Sequence, residues 1–304
     1  MLNSTTEHEI FNSINEGMLH ERERVFFNNV KKNKSLIDKY GGLSLVVPEL
    51  ENKHVIIIGA GATLKDNAPY LLKYQQRQEL VIIAVDMALK PIVSMGLKPS
   101  FVISCETTPV DFFSDIDTRS MHLLAFSCMS PSNLRKWQGN ISFYNWMIHE
   151  KPYSELWQSA GEDLGFLATG SIVTSQAMAL ALGINAASVL LVSNDLGFSD
   201  LYYPEGTVRK ATYLNRLNRL NPEETHCKAI TRNSRQYEIN RGEKKYFTSS
   251  QFYAAKLWME QLATDQKAII YDCSEPGCSN DFFIKVSMSE YLKNFDRKKK
   301  RRKR

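Results

Sequence analysis

The sequence predicts an α/β protein built on a mostly parallel sheet with helices on both faces. Two observations carry this prediction. Runs of about five β-branched or leucine residues recur along the chain, bounded by turn formers and separated by helix-like stretches, the pattern of strands buried on both faces. The first of these runs, from His54 to Ile58, stops at Gly59-Ala60-Gly61, and a helical stretch follows from Thr63. A strand that feeds a glycine turn and then a helix is the opening unit of Rossmann-like sheets.

The elements follow in order. Residues 7–38 are polar and helix-permissive, with Ile10, Ile14, Met18, Val25, Phe26 and Val30 on one face, an interruption near Gly17 and an end at Gly41-Gly42. Val55–Ile58 is the first strand. A helix is expected from about Leu64 to Gln76, with Pro69 in its first turn or bending it. Val81–Val85 is the second strand, and Met87–Met95 a short helix with Pro91 near its start. Phe101–Cys105, His122–Phe126 and Ile141–Tyr144 are further strands. Ser171–Leu182 is an alanine-rich helix stopped by Gly183, and Ser188–Val192 is the next strand. Residues 201–247 lack any persistent periodicity, are rich in Arg, Asn and Lys, and hold Tyr202, Tyr203, Tyr213, Tyr237 and Tyr246. They read as a polar excursion or lid over the ligand edge. Thr248–Thr264 is then a helix and Ala268–Tyr271 a late strand. The expected organisation is a helical lead-in (1–42), a nucleotide-binding domain (43–200), the excursion (201–247), a helix–strand unit completing the domain (248–296) and a disordered basic tail (297–304).

Composition narrows the class. The chain has 304 residues, 43% hydrophobic and 23% charged, ordinary values for a globular protein. No apolar run approaches the roughly 18 residues of a membrane span, and Met1–Ile10 lacks the apolar core of a signal peptide; a cytoplasmic protein is expected. The five cysteines, Cys105, Cys128, Cys227, Cys273 and Cys278, are scattered and lack paired metal-ligand spacing. The net charge of +5 comes from the tail: residues 297 to 304 are all Lys or Arg, and the rest of the chain carries −3. Such a block is either a solvated appendage or a contact for anionic partners.

In an open parallel sheet, ligands bind at the carboxyl ends of the strands. The residues that follow each strand are therefore the candidates. Gly59, Gly61 and Thr63 follow the first strand, Asp86 the second and Glu106 the third. Asn194 and Asp195 follow Ser188–Val192, and Gly170 and Ser171 open the alanine-rich helix. The glycine turn either cradles a phosphate with its N–H groups or is a plain tight connection. It lacks the third glycine of the dinucleotide fingerprint, since Leu64 stands there, and it lacks the Gly-Lys-Ser/Thr of a Walker loop. Asp86 is either a site carboxylate or a helix cap. Glu106 and Asp195 suit ribose hydroxyls or a divalent metal, or are turn carboxylates. Gly170 and Ser171 suit a second anion or serve as a cap. Among histidines, His54 and His122 begin strands at the opposite edge, leaving His149 and His226 as acid–base candidates.

Several segments together resemble one family. Ile57-Ile58-Gly59-Ala60-Gly61-Ala62-Thr63-Leu64 is similar to its Gly-x-Gly-Pro-Ser-Leu loop. Ala84-Val85-Asp86-Met87-Ala88-Leu89-Lys90-Pro91, followed by Gly96-Leu97-Lys98-Pro99, resembles its Asp-x-Ala-Leu and Gly-Ile-x-Pro-Asp segments. Thr169-Gly170-Ser171-Ile172-Val173-Thr174 resembles Gly-Gly-Ser-Val-Ala-Thr, and Leu191-Val192-Ser193-Asn194-Asp195-Leu196-Gly197-Phe198 resembles Leu-Val-Gly-Gln-Asp-Leu-Ala-Phe, with Tyr203 where the family has a tyrosine. This is the MptE-like superfamily, which contains the archaeal 6-hydroxymethylpterin diphosphokinase and the bacterial motility accessory factors associated with flagellin glycosylation. Departures fall at Ala62 for proline, Thr63 for serine, Ser100 and Glu106 for aspartates, and Thr169 and Ser193 for glycines. The resemblance implies a Rossmann-like nucleotide-dependent transferase. Its donor is a CMP-activated nonulosonic acid and its acceptor flagellin or another protein. The phosphate lies at Gly59, Gly61 and Thr63, Asn194 and Asp195 bind nucleotide or acceptor, and Asp195 and His226 are the catalytic candidates. The alternatives are a pterin diphosphokinase, with ATP and Mg²⁺ held by Asp86, Glu106 and Asp195, and a non-catalytic nucleotide- or flagellin-binding accessory protein. No resident cofactor is implied.

Overall fold

The computed structural model describes residues 4–198, 206–209, 236–241, 244–274 and 282–301. A long helix, α1 (Ser4–Tyr40), leads in. It runs through Gly17 without the expected interruption, because one glycine costs a helix only about 1 kcal/mol. It stops at Gly41, whose φ of +72° is open to glycine at little cost. A short α2 (Val47–Leu50) delivers the chain to β1 (His54–Ile58).

The expected helix 64–76 is only α3 (Leu64–Asn67), continued by a 3₁₀ turn at Ala68–Leu71. Pro69 is the reason: it has no N–H to continue the α ladder and its ring crowds the preceding turn. β2 (Leu80–Val85) and α4 (Asp86–Ser94) follow; α4 starts one residue earlier than expected and keeps Pro91 in its interior. Then come β3 (Phe101–Ser104), β4 (His122–Phe126), α5 (Pro131–Leu134), β5 (Asn140–Trp146), α6 (Tyr153–Ala160), a two-residue β6 (Phe166–Leu167), α7 (Val173–Gly183) and β7 (Ser188–Val192).

Within the expected excursion, β8 (Gln236–Arg241) and β9 (Lys244–Ser249) form an antiparallel hairpin. Tyr202, Tyr203, Tyr213 and His226 lie outside the described residues. α8 (Ser250–Asp265), β10 (Ile270–Asp272), β11 (Ile284–Lys285) and α9 (Met288–Arg301) complete the chain. α9 carries the first five residues of the basic block as helix, where a disordered tail was expected. Among the described residues no helix is long and apolar enough to cross a membrane.

The main sheet is parallel throughout, in the order β11-β10-β7-β1-β2-β3-β4-β5-β6. Its central strands are buried along nearly their whole length, as double-sided coverage demands. The chain leaves β1 toward β2 and returns on its other side as β7, with His54 against both Leu80 and Ser188. The strand order therefore reverses between β1 and β7, which is where such sheets open a crevice at their carboxyl ends. His54 lies at the other end, bonded to Ser188 Oγ at 2.8 Å and packed edge-on against Phe295 of α9.

α1 braces the carboxyl edge. Phe26 is fully buried, edge-on to Phe126 and Trp146. One turn further, Asn29 Nδ2 donates to the carbonyls of Thr107 and Cys128, and Asn33 Nδ2 to those of Ser127 and Met129, all at 2.8–3.0 Å. These four carbonyls belong to the loops that leave β3 and β4.

Asn33→Ala leaves two buried carbonyls unpaired and is expected to cost about 2–3 kcal/mol of unfolding free energy in a urea titration. Asn28→Ala, at an exposed position of the same helix, should stay within about 0.5 kcal/mol.

Candidate functional site

The β1–β7 crevice is built by close approach of two backbones. Gly61 N–H donates to the Ser193 carbonyl at 2.8 Å. A Cβ at Gly59 would lie 2.7 Å from that carbonyl oxygen, and one at Gly61 would lie 2.3 Å from Asp195 Oδ2. Both glycines are thus required by the loop after β7. Asp195, 6% exposed, accepts the Thr63 hydroxyl at 2.7 Å and the Thr63 N–H at 3.1 Å. The two donors of Thr63, expected to face a phosphate, are held instead by this carboxylate. The turn still presents the N–H groups of Ala60 and Ala62, which meet no acceptor among the described residues.

The loop after β7 bends sharply, with Ser193 at φ +53° and Leu196 at φ +51°. Ser193 Oγ is buried without a partner among the described residues. Asn194 is buried too; its N–H donates to Ser274 Oγ at 2.7 Å and its side chain lies against Met259 of α8. Thr248 Oγ1 donates to the Leu196 carbonyl, and Phe198 pairs with Phe247, so the β8–β9 hairpin hangs from this same loop.

A second polar group lines the ends of β2, β3 and β5. Asp86 accepts the Ser104 hydroxyl at 2.6 Å and the Met87 N–H at 2.7 Å, combining the two roles weighed for it. Burial pushes its carboxyl up to about 6 against these two hydrogen bonds. Glu106 accepts the N–H and hydroxyl of Thr108 and pairs with Arg209 at 3.1 Å. Tyr144 donates to Gln176 Oε1 at 2.6 Å, and Gln176 Nε2 reaches Thr169 Oγ1 at 3.1 Å and Cys105 Sγ at 3.5 Å. Burial raises the Cys105 thiol to about 12, so it is no nucleophile at neutral pH. Ser104, Tyr144, Gln176 and Arg209 were not among the sequence candidates. Ser104, as the last residue of its strand, was open to the same strand-end argument; the other three become neighbours only in the folded chain.

The remaining candidates are placed differently. Gly170 N–H donates to Ser175 Oγ, and a Cβ there would strike the Trp258 ring at 2.7 Å, so this glycine admits α8. Ser171 takes φ +68° and its carbonyl accepts Gln251 Nε2. His149 is exposed beyond β5 with its ring toward Phe166, and His226 lies outside the described residues. Asp86, Glu106 and Asp195 do not converge: among the described residues no three acidic, His or Cys side chains gather as metal ligands. On the other flank of the glycine turn, a cleft of about 500 Å³ opens between Thr63, Tyr70, Asp272 and Lys285.

Two outcomes follow from this geometry. Ser193→Gly relieves a left-handed serine and an orphaned hydroxyl, and should raise stability by about 1 kcal/mol in a denaturant titration. Asp86 binds a proton more tightly folded than unfolded, so its ionisation destabilises the fold progressively as pH rises from about 3.8 through about 6, by about 3 kcal/mol at most. The melting temperature of Asp86→Asn relative to the unaltered chain should therefore be higher at pH 8 than at pH 5.

The comparisons agree with this architecture. No curated protein matches the chain. A solved structure described as MAf glycosyltransferase from Magnetospirillum magneticum AMB-1 is similar to it with a TM-score of 0.55 and 15% identity. The similarity covers 83% of this chain and 37% of that one, so the chain spans little more than a third of the other's length, and at this identity the likeness is one of fold. A family model described as 6-hydroxymethylpterin diphosphokinase MptE-like matches residues 24–201, from the brace helix through the loop after β7. By that match, over more than half its length, the chain belongs to the MptE-like family.

Proposed function

We propose that this chain is a cytoplasmic transferase that uses a nucleotide-activated sugar, a CMP-linked nonulosonic acid, with flagellin or another protein as acceptor. The observation that carries the reading is the glycine turn at the β1–β7 reversal, held by the Thr63–Asp195 bonds, with the N–H groups of Ala60 and Ala62 meeting no acceptor among the described residues. Those donors suit the phosphate of the donor nucleotide. Arg209, 39% exposed and two strands away on Glu106, supplies positive charge for the phosphate that departs when the glycosidic bond breaks. The fold likeness to a protein described as a glycosyltransferase supports the reaction class.

The family's own description keeps a second reading in view, transfer of a diphosphate from ATP to a hydroxymethylpterin. Glu106, at the end of β3, is the carboxylate that would hold Mg²⁺ beside phosphate oxygens, which needs only one or two protein ligands.

A thermal-shift series with CMP, a CMP-linked sialic acid, ATP with Mg²⁺, and hydroxymethylpterin separates the two. Stabilisation by CMP compounds without metal is expected; a strict need for ATP and Mg²⁺ favours the diphosphokinase, and no shift with any of them refutes both. Gly61→Trp, which drives a side chain into Asp195, should abolish the shift while circular dichroism reports a folded chain.

A further inference from the structure

The glycine turn has two flanks, and they differ. On the β2 side, Asp86 is buried and both its oxygens are engaged by Ser104 and Met87. It presents no open carboxylate to a ribose. On the other side, the 3₁₀ turn after α3 faces β10, β11 and the start of α9 across the cleft of about 500 Å³. That is within the range of small-ligand sites, and Thr63 is part of its wall, so it is continuous with the turn.

The lining chemistry is selective. Among the described residues, Asp66, Asp272 and Glu290 line the cleft with one cation, Lys285, which is itself paired with Asp272 at 2.5 Å. The cleft is therefore net negative and repels a phosphate, whereas hydroxyl and amino donors find acceptors. Asp272 and Glu290 are already committed, to Ser274 N–H with Lys285 and to Ser287. The Asp66 carboxylate makes no hydrogen bond or ion pair among the described residues, and Tyr70, four residues on, is 48% exposed with its ring on the same cleft. A free acceptor and an exposed aromatic face, one helical turn apart and beside a phosphate-sized turn, match the two halves of a nucleoside.

We infer that this cleft receives the nucleoside of the donor, its base against the Tyr70 ring and its ribose hydroxyls at Asp66, with the phosphate left at the Ala60–Ala62 amides. The inference rests on the nucleotide reading above and adds which flank the nucleoside takes. Isothermal titration of the full chain with CMP, and separately with AMP, tests it. For whichever nucleotide binds, Tyr70→Ala should weaken affinity about tenfold and Asp66→Asn about fivefold, while Tyr70→Phe stays within about twofold. Both altered residues are exposed, so the variants should melt with the unaltered chain. Full affinity in Tyr70→Ala and Asp66→Asn overturns the placement and leaves nucleotide binding standing. A loss in Tyr70→Phe equal to that in Tyr70→Ala overturns the ring's role. No binding of either nucleotide by the unaltered chain is a different failure, which removes the nucleotide reading itself.

Discussion

The bonds between Thr63 and Asp195 are the constraint on which the carboxyl edge depends. They tie the turn after β1 to the loop after β7, the two segments that the reversal of strand order brings side by side. Burying a carboxylate this deeply is costly unless donors compensate it, and Thr63 supplies two, one of them a backbone N–H that would otherwise be orphaned. The arrangement requires glycine at 59 and 61, where any side chain would strike the β7 loop. The same loop then carries Leu196 and Phe198, which hold Thr248 and Phe247. One buried carboxylate and its bonds to Thr63 thus position the glycine turn, the hairpin and the approach to α8.

A site made of loops needs support from behind, since loop backbone is otherwise the most mobile part of a sheet protein. α1 supplies it with amides rather than apolar contact alone: Asn29 and Asn33 each bridge two carbonyls of the β3 and β4 exits. α8 packs against α1, and from it Trp258 lies over Gly170 while Gln251 holds the Ser171 carbonyl. The loops that leave β3 and β4 are thus tied down from α1, and beside them the buried Asp86 is held by the Ser104 hydroxyl and the Met87 N–H.

The strands were legible because burial on both faces leaves a composition signal, a short apolar run, that needs no partner to be recognised. His122–Phe126 and Ser188–Val192 coincide with β4 and β7. The hairpin of β8 and β9 was missed because the alternation in Gln236–Arg241 rests on only two residues, Tyr237 and Ile239, inside a strongly polar segment. Proline misled in one place: Pro69 ended an α-helix that pattern alone extended to Gln76. In the site, the strand-end argument located Gly61, Thr63, Asp86 and Asp195, but not their roles. Nothing in the order of residues says that Thr63 will bond a carboxylate 132 positions away, or that Gly170 makes room for an indole. Those facts belong to packing.

The departures from the family pattern make physical sense at this turn. Where the resembled loop has proline, this chain has Ala62. A proline would preset φ and reduce the freedom of the unfolded chain, an effect of roughly 0.4–1 kcal/mol, but it has no N–H. Alanine gives up that preorganisation and adds a backbone donor at the exposed tip of the turn, next to that of Ala60. The lost stiffness is supplied from the side, since Thr63 is held at both its N–H and its hydroxyl by Asp195. The substitution of serine by threonine fits the same picture: the added methyl is accommodated at a position only 7% exposed, and the hydroxyl keeps its acceptor. The turn thus trades a covalent constraint for a hydrogen-bonded one and gains a backbone donor.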